Sequence, residues 1–192
     1  MALFNRSADD AVQAGIAMLQ TLKSYNQHRQ IQGYIPINIG IGINTGCLML
    51  GTVGDKNRMD GTVISDAVNL ASRIESLTKS YGVSMLISQH TFRNLEDSNQ
   101  YDIRLIYRVK VKGKSEMVSI FEVFDADAPE VREGKLASRT IFENALLLYY
   151  QEKFREAEQL FAECLQLNPI DKVAQIYQKR CREREETTAN SY

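Results

Sequence analysis

Asp60-Gly61-Thr62-Val63-Ile64-Ser65-Asp66-Ala67-Val68-Asn69-Leu70-Ala71-Ser72-Arg73-Ile74-Glu75-Ser76 reads as a short strand, a tight polar turn and an amphipathic helix. Val68, Leu70, Ala71, Ile74 and Leu77 supply one apolar stripe. Asn69 and Arg73 lie four residues apart, so their side chains project from one helical face, one turn apart. An amide beside a guanidinium suits an anionic, oxygen-rich ligand, because Arg offers fixed donors matched to phosphate geometry. The same spacing also fits a solvated face whose Arg pairs with a surface carboxylate.

Working outward, Ser7 stands where it can cap a helix, with Asp9 and Asp10 favourable in the first turn. Val12, Ile16, Leu19 and Leu22 keep helical spacing to about His28, and Met1-Ala2-Leu3-Phe4 reads as the end of a strand. Ile37, Ile39, Ile41 and Ile43 alternate with Asn38, Gly40, Gly42 and Asn44, which predicts a strand with one apolar face. The glycines leave room on its other face for another backbone or a partner chain. Thr45-Gly46 predicts a hairpin into a strand over 48–52. Gly82 is placed to end the quoted helix, and a strand (84–87) and a helix opened by Ser88 follow. Residues 103–112 and 117–124 alternate as two strands joined by Gly113-Lys114-Ser115-Glu116. This mixture predicts an α+β sandwich with an antiparallel sheet covered on one side.

Composition shifts at Asp125-Ala126-Asp127-Ala128-Pro129, which reads as a linker over 125–138. Residues 139–183 read as helical. Ala145, Tyr149, Phe154, Ala157, Phe161 and Leu165 form the apolar face of a helical pair broken near Glu152-Lys153, and a further helix starts after Asn168-Pro169. The pattern resembles one tetratricopeptide repeat with a capping helix. A lone repeat has to bury its face elsewhere: on the preceding domain, a second copy or a partner protein. The polar stretch 184–192 lacks periodicity and reads as a disordered tail.

At 192 residues the chain accommodates one medium domain and an appendage. A net charge of −1 gives no electrostatic reason to expect nucleic acid or an anionic membrane. Nor do the strands carry a basic stripe or paired aromatics for base stacking. No apolar run approaches the length of a membrane span. Cys47, Cys164 and Cys181 are widely spaced and read as reduced thiols, and His28 and His90 have no second ligand nearby. A cytoplasmic location is the expectation.

With Asn44-Thr45-Gly46 before it and Val111-Lys112-Gly113-Lys114 after it, the quoted stretch resembles the catalytic domain of class III nucleotidyl cyclases, more narrowly the cyanobacterial-like adenylate cyclases. The resemblance runs over 1–124 and implies a ferredoxin-like α+β sandwich, incomplete at its N-terminus. It also implies synthesis of cyclic AMP and pyrophosphate from ATP by a homodimer, with the active site between two subunits. Asn69 matches the asparagine that orients the ribose, and Arg73 the arginine that stabilises charge on the reacting phosphate. Lys112 matches the lysine that holds the terminal phosphates, and Thr62 a position that helps read the base.

The family holds a pair of Mg or Mn ions on two aspartates. The resemblance implies that these aspartates, and the lysine that reads adenine, precede Met1. Asp9, Asp10, Asp55, Asp60 and Asp66 do not match them, so the chain by itself is expected to be inactive. The competing expectation is a non-catalytic regulatory or dimerisation module with a protein-binding helical repeat.

Overall fold

The computed structural model describes residues 1–55, 58–110 and 117–189, with the backbone alone at 49–55, 58–64, 109–110 and 188–189. In chain order the elements are α1 (Ala8–Ile31), β1 (Ile41–Ile43), β2 (Met49–Asp55), β3 (Arg58–Ile64), α2 (Asp66–Tyr81), β4 (Met85–Ser88) and α3 (Gln89–Arg93). They are followed by β5 (Ile103–Lys110), β6 (Met117–Val123), α4 (Pro129–Tyr150), α5 (Phe154–Leu167) and α6 (Lys172–Ala189). A mixed sheet has the order β1-β4-β6-β5, with β1 parallel to β4 and the other pairs antiparallel. Strands β2 and β3 form a separate antiparallel pair.

Several sequence expectations give way here. Met1–Phe4 forms no strand and is exposed. Of the alternating stretch 37–44 only Ile41–Ile43 enters the ladder, because Asn26 of α1 binds both backbone groups of Ile37 first. The Ile37 N–H donates to Asn26 Oδ1 (2.8 Å) and Asn26 Nδ2 donates to the Ile37 carbonyl (2.7 Å). Nor do β1 and β2 make a hairpin. The segment between them is tied to the start of α2: Asn44 Nδ2 donates to the Ala67 carbonyl (3.0 Å) and Ser65 Oγ to the Cys47 carbonyl (2.7 Å). This leads the chain away from β1, whose partner is β4.

The sheet is covered on both faces, not one. Alternating strand residues point to opposite sides. Ile41, Ile43, Met85, Ile87, Phe121 and Val123 pack with Val12, Ile16 and Leu19 of α1. Leu86, Val118 and Ile120 pack instead with Ile74 of α2 and with Phe142, Phe161 and Tyr177 of α4–α6. The C-terminal helices therefore share a core with the sheet, which is how they bury their apolar faces. Their breaks fall at 151–153 and 168–171. Helix α4 starts at Pro129, inside the stretch read as a linker, because proline is preset for the first helical turn. Helix α6 continues to Ala189, past the expected start of a disordered tail. It is held by an Arg182–Glu158 ion pair to α5 (2.6 Å) and by Thr187 Oγ1 donating to the Glu183 carbonyl (2.7 Å).

Helix α2 lies directly on β1. A Cβ added at Gly42 would sit 2.6 Å from the Ala71 carbonyl oxygen and 2.8 Å from the Glu75 Cα, so only glycine admits the helix backbone. The glycine face of this strand is thus filled by the chain's own helix rather than left open for a partner. At the other end of α2, Gly82 adopts φ 65° and its N–H donates to the Thr78 carbonyl, closing the helix as the sequence predicts.

A buried charge network ties the C-terminal helices to the sheet. The Arg104 guanidinium (β5) donates through Nε to Glu122 of β6 (2.7 Å) and through Nη2 to Asp171 (2.9 Å). Lys135 of α4 donates to Glu122 (2.5 Å) and Asp127 (2.6 Å). Asp171 also accepts from the Val173 N–H (3.1 Å), capping α6. Burial works to neutralise Arg104, but Glu122 and Asp171 outweigh it and hold the guanidinium charged. Burial likewise pushes Asp171 up, yet the Arg104 hydrogen bonds and charge leave its carboxyl below the ordinary range. Cys164 and Cys181 are pushed up to about 12 by burial, so both are inert thiols.

Gly42→Ala should destabilise the fold by about 1–3 kcal/mol or more, because the new methyl meets backbone rather than a movable side chain. Urea unfolding of the variant against the parent chain measures this. Arg104→Met should cost about 3–5 kcal/mol by stranding buried carboxylates. The pH dependence has a definite sign. Asp171 titrates below its ordinary 3.8, so its contribution is complete above that pH and fades as pH falls through the lower folded value. Asp171→Asn should therefore lower stability at neutral pH and flatten the acid limb of a stability profile.

Candidate functional site

Ser65 starts α2. Its Oγ accepts from the Ala67 N–H (3.0 Å) while donating to the Cys47 carbonyl, so one hydroxyl both caps the helix and anchors it. Asn44 does the same from the sheet side: its amide donates to the Ala67 carbonyl and its Oδ1 accepts from Ser88 Oγ (2.7 Å) at the end of β4. Ser88 Oγ in turn accepts from the Thr91 N–H (3.1 Å), and Thr45 Oγ1 donates to Thr91 Oγ1 (3.2 Å). With Ser88 and Thr91 fully buried, this polar knot fixes the entry angle of α2.

The helix turns Ile74, Thr78 and Tyr81 inward and leaves Asn69 and Arg73 exposed. No hydrogen bond or ion pair engages either side chain among the described residues. The alternative of an Arg spent on a surface carboxylate therefore finds no described partner, and an amide and a guanidinium stand together facing solvent. A planar cation held on a rigid helix can engage a phosphate bidentately without much further ordering.

Thr62 lies on β3, its backbone opposite Gly51 of β2, and β3 runs directly into Ser65 and α2. Its side chain is outside the described residues. Lys112 also lies outside them, in the stretch between the ends of β5 and β6. The structure thus brings Asn69 and Arg73 together and ties the strand carrying Thr62 to their helix by the chain itself.

Among the described residues no group of three or more His, Cys, Asp or Glu side chains is placed to hold an ion. Asp9 is engaged by the Tyr101 hydroxyl (2.8 Å) and the Glu96 N–H (3.1 Å), and Asp66 is exposed in the first turn of α2. No helix among the described residues is long and apolar enough to cross a membrane.

Sequence reading missed the polar knot and the buried network. Asn44 was visible in a motif, but nothing in one sequence indicates that its amide reaches residues 67 and 88. Arg104 and Glu122 sit on alternating strands, and their pairing appears only once the β5–β6 register is known.

The comparisons with known proteins bear on the same residues. The model of the adenylate and guanylate cyclase catalytic domain matches residues 3–122. The chain is 39% identical over 189 residues to the terminal-differentiation specific adenylate cyclase of Dictyostelium discoideum, covering 94% of this chain and 9% of that protein. It is 49% identical over 129 residues to the adenylate cyclase of Anabaena cylindrica, covering 64% of this chain and 26% of that one. The chain thus spans only a small part of these relatives. The Dictyostelium alignment, unlike the family model, extends into the C-terminal helices.

Among solved structures, the adenylyl cyclase CyaB from P. aeruginosa superposes with a TM-score of 0.51 at 37% identity, over 62% of this chain and 61% of that one. The guanylyl cyclase Cya2 gives 0.53 at 30% identity, over 67% and 65%. A helix bearing Asn69 and Arg73 on a mixed α+β sheet, inside a match that takes in most of the chain, places this protein in the adenylate and guanylate cyclase catalytic domain family.

Proposed function

We propose that the chain is the substrate-handling part of an adenylate cyclase, serving synthesis of cyclic AMP and pyrophosphate from ATP in intracellular signalling. The observation that carries this reading is the exposed Asn69–Arg73 pair on a helix locked against β1. Asn69 orients the ribose, so that its 3′-oxygen lines up on the α-phosphorus. Arg73 stabilises the charge that builds on that phosphate in the transition state. Lys112 holds the terminal phosphates as a point charge, and the Thr62 hydroxyl helps read adenine. The adenylate cyclases of Dictyostelium and Anabaena support adenine as the base.

The ions of the complete family site, Mg or Mn, would neutralise phosphate charge and activate the attacking oxygen. Among the described residues no group of three or more His, Cys, Asp or Glu is placed to hold an ion, and none of Asp9, Asp10, Asp55, Asp60 and Asp66 matches the two aspartates that the resemblance assigns to the ions. That observation also favours a second reading, a non-catalytic regulatory or dimerisation module.

Residues 1–124 act as the cyclase-like unit, working as a homodimer in the cytoplasm. Residues 139–183 act as a tetratricopeptide-like unit whose outer surface is open to a protein partner. Since α2 fills the glycine face of β1, self-association would use the exposed face of α2 instead.

Activity separates the two readings. The purified chain should form no detectable cyclic AMP from ATP with Mg or Mn, and robust production would show that the metal ligands lie within it. Residues 3–122 substituted for their counterpart in the Anabaena cyclase should restore synthesis. In that chimera Arg73→Ala should lower kcat by about 100-fold or more while moving KM little. An inactive, folded chimera supports the regulatory module, and an effect on KM alone would refute the role given to Arg73.

Sedimentation over a concentration series tests assembly. A discrete monomer–dimer equilibrium weakened by Arg73→Glu is expected, and a strict monomer at high concentration excludes the homodimer.

A further inference from the structure

A cavity of about 760 Å³ opens between α1, residues 36–40, the end of α2 and the start of α6. It exists because the chain joins the sheet late. Asn26 of α1 takes the backbone of Ile37, and the β1–β4 ladder begins only at Ile41, so residues 36–40 line a cleft instead of extending a paired strand. Leu19, Leu22, Lys23, Asn26 and Gln30 follow helical spacing, so one face of α1 forms a wall. The volume is that of small-molecule sites. The cavity meets α2 only at Thr78 and Lys79, which sets it apart from the exposed Asn69 and Arg73 earlier in that helix.

Three helices each send one lysine to this cavity: Lys23 from α1, Lys79 from α2 and Lys172 from α6. None of the three ammoniums makes an ion pair or hydrogen bond among the described residues. Lys79 stands four residues after Glu75, the order and spacing that favour a helical ion pair, yet that pair is not made. Lys172 occupies the first turn of α6, the unfavourable end of a helix dipole for a cation. Its stem lies over Gly82, where an added Cβ would come within 2.5 Å of Lys172 Cδ. The carboxylate on the lining, Asp127, is already held by Lys135 at 2.6 Å. Asp125 and Glu133 line a neighbouring cleft, and no ion pair links them to Lys23. The cavity therefore carries positive charge that the described residues leave unanswered, and an anion would relieve the repulsion. Leu19, Ile39 and Val83 supply apolar lining, while the side-chain amides of Gln27, Gln30 and Asn38 have no hydrogen-bond partner among the described residues.

We propose that this cavity binds a small organic phosphate with a ring or sugar body, its phosphate held by Lys23, Lys79 and Lys172 and its body set against the apolar lining and the unpartnered amides. Ammonium groups on flexible stems act as point charges and can close on a phosphate that arrives from solvent. Three cations suit a phosphate monoester better than a lone carboxylate, because the monoester carries about −1.5 to −2 charge at neutral pH. Lys23 and Lys79 lie within the matched cyclase residues 3–122, whereas Lys172 lies outside them. An occupant therefore bridges α6 to α1 and to the last turn of the helix that bears Asn69 and Arg73. The site stands whether or not that pair handles ATP.

The test uses the whole chain with AMP as the probe, titrated by calorimetry and mapped by amide NMR shifts. AMP should bind once per chain and shift the amides of Gln27, Gly40 and Val83 while leaving those of Asn69 and Arg73 in place. Lys23→Gln, Lys79→Gln and Lys172→Gln should each weaken binding about fivefold, the scale of one partly exposed ion pair, and the triple variant should abolish it. All three lysines are exposed, so the variants should melt with the parent. Lys172→Arg keeps the charge and should bind as the parent does, and Arg73→Ala should change nothing. No saturable AMP binding by the parent overturns the site. Binding that survives the triple substitution, or that falls with Arg73→Ala, overturns its location and assigns AMP to the exposed face of α2. Inorganic phosphate should bind more weakly than AMP, and equal affinity overturns the assignment to an organic phosphate.

Discussion

The buried guanidinium of Arg104 is the constraint around which the rest of the molecule is arranged. A charge with no exposure is tolerable only where carboxylates meet it, and Glu122 from the neighbouring strand and Asp171 from the start of α6 do so. Lys135 of α4 then compensates Glu122 and Asp127, so the network closes over both strands and two helices. Such a network adds little stability compared with an apolar substitute, but it tolerates few alternative dockings of the helices. Hydrophobic burial supplies the driving force. Phe142, Phe161 and Tyr177 press on Ile106, Val118 and Ile120 in a core that does not distinguish sheet from helical extension.

The helix of the candidate site is placed by a different device. Glycine at position 42 brings the backbone of α2 down onto β1, glycine at position 40 makes room for the Thr78 side chain, and the knot of Asn44, Ser65, Ser88 and Thr91 fixes the first turn of the helix. Rigidity at the buried face keeps Asn69 and Arg73 in register on the exposed face. Their conformational freedom is then limited to their own side chains, which lowers the entropy lost when they meet a ligand. The two devices act on one face of the sheet. Tyr81 near the end of α2 bonds Arg180 of α6 (3.0 Å), so the site helix and the C-terminal helices also touch directly.

The helices were legible because their signal is local. Ser7 as a cap, Gly82 as a left-handed stop and the apolar spacing of α2, α4 and α5 all act within a few turns of chain. The resemblance carried by Asn44-Thr45-Gly46, Asn69 and Arg73 placed the chain in its family before any coordinate was known. Strand pairing was less legible. Residues 37–44 alternate as a strand should, yet Asn26 claims the backbone of Ile37 and the strand shortens. Whether β1 folds onto β2 or pairs with β4 depends on the ties from residues 44–47 to α2.

What the sequence alone determined, then, is what neighbours along the chain govern: the presence of the helices, the caps at Ser7 and Gly82, and the side-by-side projection of Asn69 and Arg73. What only the tertiary structure decided is everything governed by contacts across it. That includes the covering of both sheet faces, the occupation of the glycine face by α2, the charge network of Arg104 and the phenols of Tyr150 and Tyr177 that bond the β5 backbone. The physical reason is range. A helix satisfies its backbone within four residues, whereas a buried charge or strand carbonyl must find a partner 18 to 71 residues away.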